Sequence, residues 1–176
     1  MVRPCFLLLA LTLFGCEEKI KPSVTDEAGS PSMPSQESWN STVVFSDSGK
    51  VRGVLRAGHI SVYAARMMTH MNDAVSVDFY NIEGEHTSIL TSQEAWVNDR
   101  TKNLEAKGEV VVTADDGSIL RTDRLYWDNR TRKIHTDRFV RITTPNEMIE
   151  GHGFESDQSL KYYKIFRVTG VSRETK

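Results

Sequence analysis

Apolar and polar residues alternate with a period of two along much of the second half of the chain. Leu125 and Trp127 lie on one side of a predicted strand, and Ile134 lies on the same side of the next strand. Tyr126 and His135 lie on the opposite side. A period of two is that of a β-strand, and one apolar face with one polar face is typical of an antiparallel sheet. The pattern therefore predicts an all-β protein.

Turn signals separate these segments. An acidic residue followed by Gly117 stands between the apolar run 110–112 and Ile119, and similar signals end at Gly84 and Gly49. An acidic residue with glycine between two apolar runs is a strong hairpin signal. Asn98 and Asp128 each begin a four-residue segment that ends in Arg-Thr. These segments mark the turns at the other edge of the predicted sheet. We therefore expect a series of hairpins.

The hairpins are repeated within the chain. Residues 89–112 align without a gap on residues 119–142, with Ile, Leu, Arg, Thr and Val identical at five positions. A constant offset over that length indicates a repeated supersecondary unit. Short strands with frequent turns predict a sandwich, barrel or jelly roll. The one segment that resembles a helix, 62–71, has strand-like flanks, so we expect a strand or a loop there.

The first residues form a targeting signal. Arg3 precedes an apolar run from Cys5 to Phe14, which is too short for a helix across a bilayer core of roughly 30 Å. The run ends in Leu13-Phe14-Gly15-Cys16, which looks like a bacterial lipobox. We expect a lipoprotein signal peptide at 1–15 and lipidation of Cys16. The alternative is an ordinary secretory signal with an incidental cysteine.

A tether is expected at 16–38 and a folded domain at 39–176. The segment after Cys16 is rich in proline and serine and has hardly any large apolar residue. Such a composition buries too little surface to offset its ordering entropy. The only other cysteine, Cys5, lies in the predicted signal peptide, so no disulfide is expected in the domain.

No pattern for catalysis or for a cofactor is present in the sequence. The histidines have no zinc-site spacing, and solvated strand positions are the better interpretation of them. Gly151-His152-Gly153 lacks the third glycine of a dinucleotide loop, which favours a bend or bulge. Asp123 and Asp137 recur at equivalent places in the repeat, which favours turn residues over catalytic carboxylates. We expect no metal, no cofactor and no enzyme activity.

Positive charge is concentrated in one region. Residues 118–144 contain seven arginines or lysines against three aspartates. Such a region could meet phosphate groups, although a solvated outer face of the strands accounts for it equally well. The aromatic residues are sparse and do not form the stacking platform that single-stranded nucleic acid needs. We expect no nucleic-acid partner.

From Gly108 onward the order of short motifs is specific. L-x-T-D at 120–123, L-x-W-D at 125–128 and K-I-x-T-D at 133–137 are followed by I-x-G-x-G-F-x-S-D at 149–157 and V-x-G at 168–170. This order resembles the lipopolysaccharide export proteins of the LptC family. The resemblance extends to about Trp39. Enterobacterial members are anchored by a transmembrane helix, whereas this chain has a lipobox.

The resemblance implies a twisted antiparallel β-jellyroll, open along one side, with two sheets around an apolar groove. It implies a non-catalytic carrier that accepts lipopolysaccharide from an inner-membrane ABC transporter and passes it to a periplasmic bridge of LptA-like domains. The expected location is the periplasmic face of the inner membrane, with the outer membrane as the alternative. An antiparallel jellyroll could keep acyl chains out of water, where each exposed methylene costs about 0.8 kcal/mol.

The resemblance also assigns residues. The edge 42–47 is expected to face the transporter, and the edge 162–170 the next bridge domain. Gly49, Gly151 and Gly153 match family glycines and are expected to allow positive φ or close backbone approach. The candidates for lining the groove, some of which must be plain core, are Val110, Val112, Leu120, Leu125, Trp127, Ile134, Val140, Ile142, Phe154 and Val168.

Two other functions remain open at this point. The chain could be a scaffold lipoprotein that docks other envelope β-domains without holding lipid. A hydrolase specific for amphiphiles is a more distant alternative. A fully packed interior would favour the scaffold, a groove open from edge to edge would favour the carrier, and a polar pocket with paired carboxylates would favour the enzyme.

Overall fold

The computed structural model describes residues 33–173. This part of the chain forms one antiparallel sheet of nine strands in which each strand pairs with the next along the chain. The strands are β1 (Gln36–Asp47), β2 (Lys50–Tyr63), β3 (Met68–Tyr80), β4 (His86–Asn98), β5 (Leu104–Ala114), β6 (Ile119–Asp128), β7 (Lys133–Thr143), β8 (Glu147–Asp157) and β9 (Tyr163–Arg173). The signal peptide, Cys16 and most of the predicted tether lie outside the described residues.

The predicted repeat corresponds to two successive hairpins with the same turn. In the β4–β5 turn, the Asn98 side-chain oxygen accepts hydrogen bonds from the backbone N–H groups of Arg100 and Thr101, at 3.1 and 3.0 Å. In the β6–β7 turn, Asp128 accepts the equivalent bonds from the two residues at the same offsets, at 2.8 and 3.0 Å. Lys102 and its equivalent Arg132 both have positive φ, at 61° and 59°. Asn and Asp are favoured at such places because their side chains can satisfy nearby backbone groups.

Most strands are interrupted near their middle. A bulge places extra residues in one strand, which bends it and increases its twist. The pairing register shifts between residues 56 and 59 of β2, 72 and 75 of β3, 91 and 94 of β4, 107 and 110 of β5, 122 and 126 of β6, and 136 and 139 of β7. Because these irregularities occur in neighbouring strands, the whole sheet bends along one line and folds over itself.

The bend brings together strands that do not pair. Phe79 of β3 packs against Trp127 of β6, with ring centroids 5.6 Å apart. Ser88 of β4 donates a hydrogen bond to the carbonyl oxygen of Gln158, in the β8–β9 loop, at 2.6 Å. The two layers that the jellyroll resemblance implied are therefore two halves of one continuous sheet.

The core lies between these halves. Its members come from β2 to β8 and the β8–β9 loop, and they form a single apolar cluster. Large side chains that are almost fully buried include Leu55, Met71, Leu90 and Phe154. The strands supply them at alternate positions, as the period of two in the sequence predicts. The prediction of an all-β, open antiparallel jellyroll built from hairpins is confirmed.

The helix-like segment 62–71 is mostly strand. β2 ends at Tyr63, a single 3-10 turn covers Ala64–Arg66, and β3 begins at Met68. Met67 reverses the chain with φ of 52°. β1 starts at Gln36 and therefore includes Trp39, where the folded domain is expected to begin. Within residues 33–173, no helix is long and apolar enough to cross a membrane.

Candidate functional site

An open cavity of about 660 Å³ lies between the two halves of the sheet. One wall comes from the ends of β1 to β3 that are near the β1–β2 turn, and the other from β4 to β6 near the β4–β5 and β6–β7 turns. This volume is within the range of roughly 300–1,000 Å³ that is typical of ligand pockets. The apolar lining side chains include Val43, Phe45, Val77, Phe79, Leu104 and Trp127.

The apolar wall is continuous with the core. Phe79 is buried, and its ring is tilted by 43° against that of Trp127. Val43, Phe45 and Trp127 are partly buried and pack on the core cluster. The cavity is therefore an opening in the packed interior and not a groove on the outer face of the sheet. An apolar surface of this kind can receive hydrocarbon that would otherwise be exposed to water.

The rim of the cavity carries positive charge. Arg52, Lys102 and Arg132 line it together with one carboxylate, Asp47. Arg132 and Asp47 form an ion pair with a nitrogen–oxygen distance of 3.4 Å. This pair joins β1, at the edge of the sheet, to the distant β6–β7 turn.

Two buried N–H groups at the cavity have no hydrogen-bond partner among the described residues. They are Nε of Arg52 and Nε1 of Trp127. Arg52 uses another nitrogen, Nη1, to donate to the backbone oxygen of Asn81. Buried donors are usually satisfied, so each exception in a native structure needs an explanation.

Most of the predicted groove positions are closed core. Among them Trp127 lines the cavity, whereas the others named here are at most 1% exposed and do not line it. These are Val110, Val112, Leu120, Leu125, Ile134, Val140, Ile142 and Phe154. These side chains are packed in the interior, so whether any of them contacts a ligand stays a prediction.

Val168 is different, because 54% of its surface is exposed. It lies on β9, where Tyr163 and Ile165 pack against the core. Val168 pairs with Gly151 of β8, and Gly151 pairs in turn with the buried Val140 of β7. Val168 does not line the cavity described above, and its exposure accords with its place on the edge strand β9; its expected role in a groove stays a prediction.

Glycines permit the close contact between β8 and β9. A Cβ atom at Gly151 would lie 2.4 Å from the backbone oxygen of Arg167, so only glycine fits there. Gly153 has φ of 75°, a conformation that residues with side chains rarely adopt.

Gly49 lies elsewhere, in the β1–β2 turn. It has φ of 78°, and nothing lies within 4 Å of its Cβ position.

The cavity residues of the first three strands were not predicted as site residues from the sequence. Val43 and Phe45 fall in the segment that was assigned only as an edge, and Val77 and Phe79 were not assigned to the site. The alternation of Val75, Val77 and Phe79 predicts an inner face, but nothing local indicates that this face borders an opening.

Several histidines stand next to carboxylates. His59 lies 3.0 Å from Glu37, His70 lies 3.1 Å from Glu94, and His86 lies 2.7 Å from Asp115. These are pairs between side chains of the strands and turns. In residues 33–173, no group of three or more His, Cys, Asp or Glu side chains is placed to hold a metal ion.

Comparison with known proteins identifies the family. No curated protein sequence matches the chain. The family model described as lipopolysaccharide-assembly, LptC-related matches residues 5–171, which is nearly the whole chain and includes every strand that lines the cavity. That family is associated with lipopolysaccharide transport in the cell envelope and is not a family of enzymes. The chain belongs to the LptC-related family of lipopolysaccharide-assembly proteins.

Proposed function

We propose that this protein is a carrier in lipopolysaccharide export. It accepts lipopolysaccharide from an inner-membrane ABC transporter and passes it to a periplasmic bridge of LptA-like β-jellyroll domains. It uses no cofactor and catalyses no reaction, so the direction of transport comes from the transporter. The observation that carries the proposal is the apolar cavity between the two halves of the sheet, in a chain of a lipopolysaccharide-assembly family.

The lining of the cavity suits acyl chains. Phe45, Phe79 and Trp127 present aromatic surface beside Val43 and Leu104. Each methylene that moves from water to such a surface gains about 0.8 kcal/mol. A carrier must also release its cargo, and a cavity that is open on one side allows the chains to leave sideways.

The edges of the sheet suit the proposed partners. β1 and β9 each pair with only one strand in the described structure, so their outer backbone groups can accept a strand from another domain. The transporter-facing segment 42–47 lies in β1, next to the cavity. The bridge-facing segment 162–170 falls mainly in β9, which exposes Phe166 and Val168.

The anchor belongs to the same proposal. Lipidation of Cys16 would hold the domain at the periplasmic face of the inner membrane, and residues 16–38 would act as the tether. Several acyl chains on one cysteine make such an anchor effectively permanent. Replacement of Cys16 by serine, with membrane fractionation of the cells, tests the anchor separately from lipid binding.

Photocrosslinking in cells tests the carrier. A photoreactive residue replaces Phe45 or Trp127 in the cavity, Val112 in the packed core, or Arg121 on the outer face. Arg121 is exposed on β6, whereas Val112 is almost completely buried. After irradiation, the protein is isolated and blotted for lipopolysaccharide adducts.

We expect adducts at positions 45 and 127 and none at position 121. Adducts at position 112 as well would mean that the sheet opens further during transport. If the folded, anchored protein gives no adduct at either cavity position, the carrier proposal is wrong.

One observation favours a scaffold as the second candidate. Eight of the predicted groove positions are packed core, as in a domain that holds no lipid. A scaffold would still crosslink to neighbouring β-domains through β1 and β9. Protein adducts at these edges without lipopolysaccharide adducts in the cavity would therefore support it over the carrier.

A further inference from the structure

The cavity is lined by positive charge that an acyl chain alone does not need. Arg52, Lys102 and Arg132 line the same apolar cavity. Cations beside an apolar surface form a site for an anion that carries a hydrocarbon tail.

We propose that Arg52, Lys102 and Arg132 form a subsite for a phosphate group on the head of the bound lipid. The proposal rests on the carrier function proposed above and adds the group that orients the lipid in the cavity. Arginine suits this role because its planar guanidinium can donate two parallel hydrogen bonds to a phosphate. Lysine adds a point charge with three donors.

Asp47 acts as an internal competitor for this subsite. Its carboxylate lies 3.4 Å from the Arg132 guanidinium, and 57% of the Asp47 side chain is exposed. An exposed ion pair of this kind is weak, so a phosphate with greater charge can displace the carboxylate. Because Asp47 ends β1, its displacement releases the contact that joins this edge strand to the β6–β7 turn.

A lipid phosphate fits the site better than free phosphate. The three cations stand around an apolar cavity whose lining includes Phe79 and Trp127. A free phosphate ion gains nothing from these rings and is strongly hydrated in water. A phosphate that is tethered to acyl chains gains from both parts of the site at once.

The binding experiment uses the full-length chain in a nonionic amphipol, with Trp39 and Trp96 replaced by phenylalanine. Trp127 then reports entry into the cavity through its fluorescence, because the sequence contains three tryptophans and only this one lines the cavity. The ligands are lipid A with both phosphates, the same lipid after removal of its phosphates, and inorganic phosphate. The variants are Arg132→Gln, Lys102→Gln, Asp47→Asn and the control Arg121→Gln on the outer face.

We expect Arg132→Gln and Lys102→Gln each to weaken binding of phosphorylated lipid A by about threefold to tenfold. Asp47→Asn should strengthen it, because the competing carboxylate is lost. None of these changes should affect the dephosphorylated lipid, and Arg121→Gln should change neither. Added salt should weaken binding of the phosphorylated lipid only.

The opposite signs for Asp47→Asn and Arg132→Gln separate a phosphate subsite from a structural latch. Both substitutions break the same ion pair, so a latch alone would make them act in the same direction and would overturn the proposal. Equal binding of the two lipids, with no effect of the variants, would also overturn it but leave the carrier function intact. Binding of neither lipid would refute both, and tight binding of inorganic phosphate alone would refute the assignment to a lipid head group.

Discussion

The rings of Phe79 and Trp127 pack against each other with centroids 5.6 Å apart, although β3 and β6 do not pair in the sheet. Each ring comes from a different half of the bent sheet. Their contact joins the two halves at the inner boundary of the cavity, so the same pair contributes to both the stability of the fold and the shape of the site.

Phe79→Ala tests how much this contact stabilises the fold. Phe79 is 3% exposed, and truncation of a buried phenylalanine costs about 3–5 kcal/mol. We expect the free energy of unfolding to fall by about 3 kcal/mol. This value is at the lower end of that range because Phe79 already borders an opening. Urea denaturation followed by circular dichroism measures it.

The matched control is Phe166→Ala, the same substitution at a ring that is 56% exposed on β9. We expect it to cost less than about 1 kcal/mol, because little apolar surface is lost from the interior. Equal losses for the two variants would mean that the Phe79 contact does not hold the halves together.

The sequence predicted the strands and hairpins well because their determinants are local. Alternation and turn chemistry act over a few residues, as the equivalent turns at Asn98 and Asp128 illustrate. The cavity was harder to predict. Leu125 and Trp127 share the inner face of β6, yet Leu125 is fully buried and Trp127 lines the opening. Their difference depends on where the sheet bends and on which distant strand covers each residue.

Gly151 is expected to be essential for the attachment of β9. An added Cβ would lie 2.4 Å from the backbone oxygen of Arg167 and 2.5 Å from a methyl group of Ile165. Gly151→Ala must therefore push β9 away from β8, at a cost of about 1–3 kcal/mol for overpacking. Faster amide hydrogen exchange in β9, with β2 to β6 unchanged, is the expected result.

Gly49→Ala is the control, because nothing lies within 4 Å of its Cβ position. The only cost there is that of alanine at a φ of 78°, about 1–2 kcal/mol, in the β1–β2 turn. Hydrogen exchange in β9 should stay as in the unmodified protein. If Gly49→Ala also released β9, general loss of stability and not the local clash would explain the result for Gly151.

Substitutions in the two equivalent turns, at Asp128 and at Asn98, should change the pH dependence of stability in opposite directions. Hydrogen bonds from the backbone N–H groups of Thr131 and Arg130 hold the pKa of Asp128 below its ordinary value, with the bond from Thr131 as the largest cause. A carboxyl with a lowered pKa in the folded state contributes stability that is present above its unfolded pKa and is lost as the pH falls through the folded pKa.

Asp128→Asn should therefore reduce the loss of stability between neutral pH and pH of about 3, which brackets the ordinary carboxyl range. The turn itself should survive, because Asn98 already forms the same hydrogen bonds. Asn98→Asp is the reciprocal variant and should increase the loss over the same range. Urea midpoints at both pH values measure the effect, and a change of the same sign in both variants would contradict it.

Ser88 links β4 to the β8–β9 loop, which lies far along the chain. It is fully buried, and its hydroxyl donates to the backbone oxygen of Gln158 at 2.6 Å. The Gln158 side chain in turn donates from Nε2 to the backbone oxygen of Tyr80 at 3.0 Å. The β8–β9 loop is thus fastened to the β3–β4 hairpin by two hydrogen bonds that are remote in sequence.

Ser88→Ala leaves the carbonyl of the partly buried Gln158 without this donor, and the loss of one hydrogen bond costs about 0.5–1.5 kcal/mol. We expect faster hydrogen exchange in both the β3–β4 hairpin and the β8–β9 loop. Ser92→Ala is the control on the same strand. The Ser92 hydroxyl donates a local hydrogen bond, to the backbone oxygen of Glu94. Its effect should stay within β4 and its neighbours. The two lost bonds differ in how far along the chain they reach. A response confined to β4 in Ser88→Ala would therefore show that the loop is held by packing of Leu160 and not by the hydroxyl.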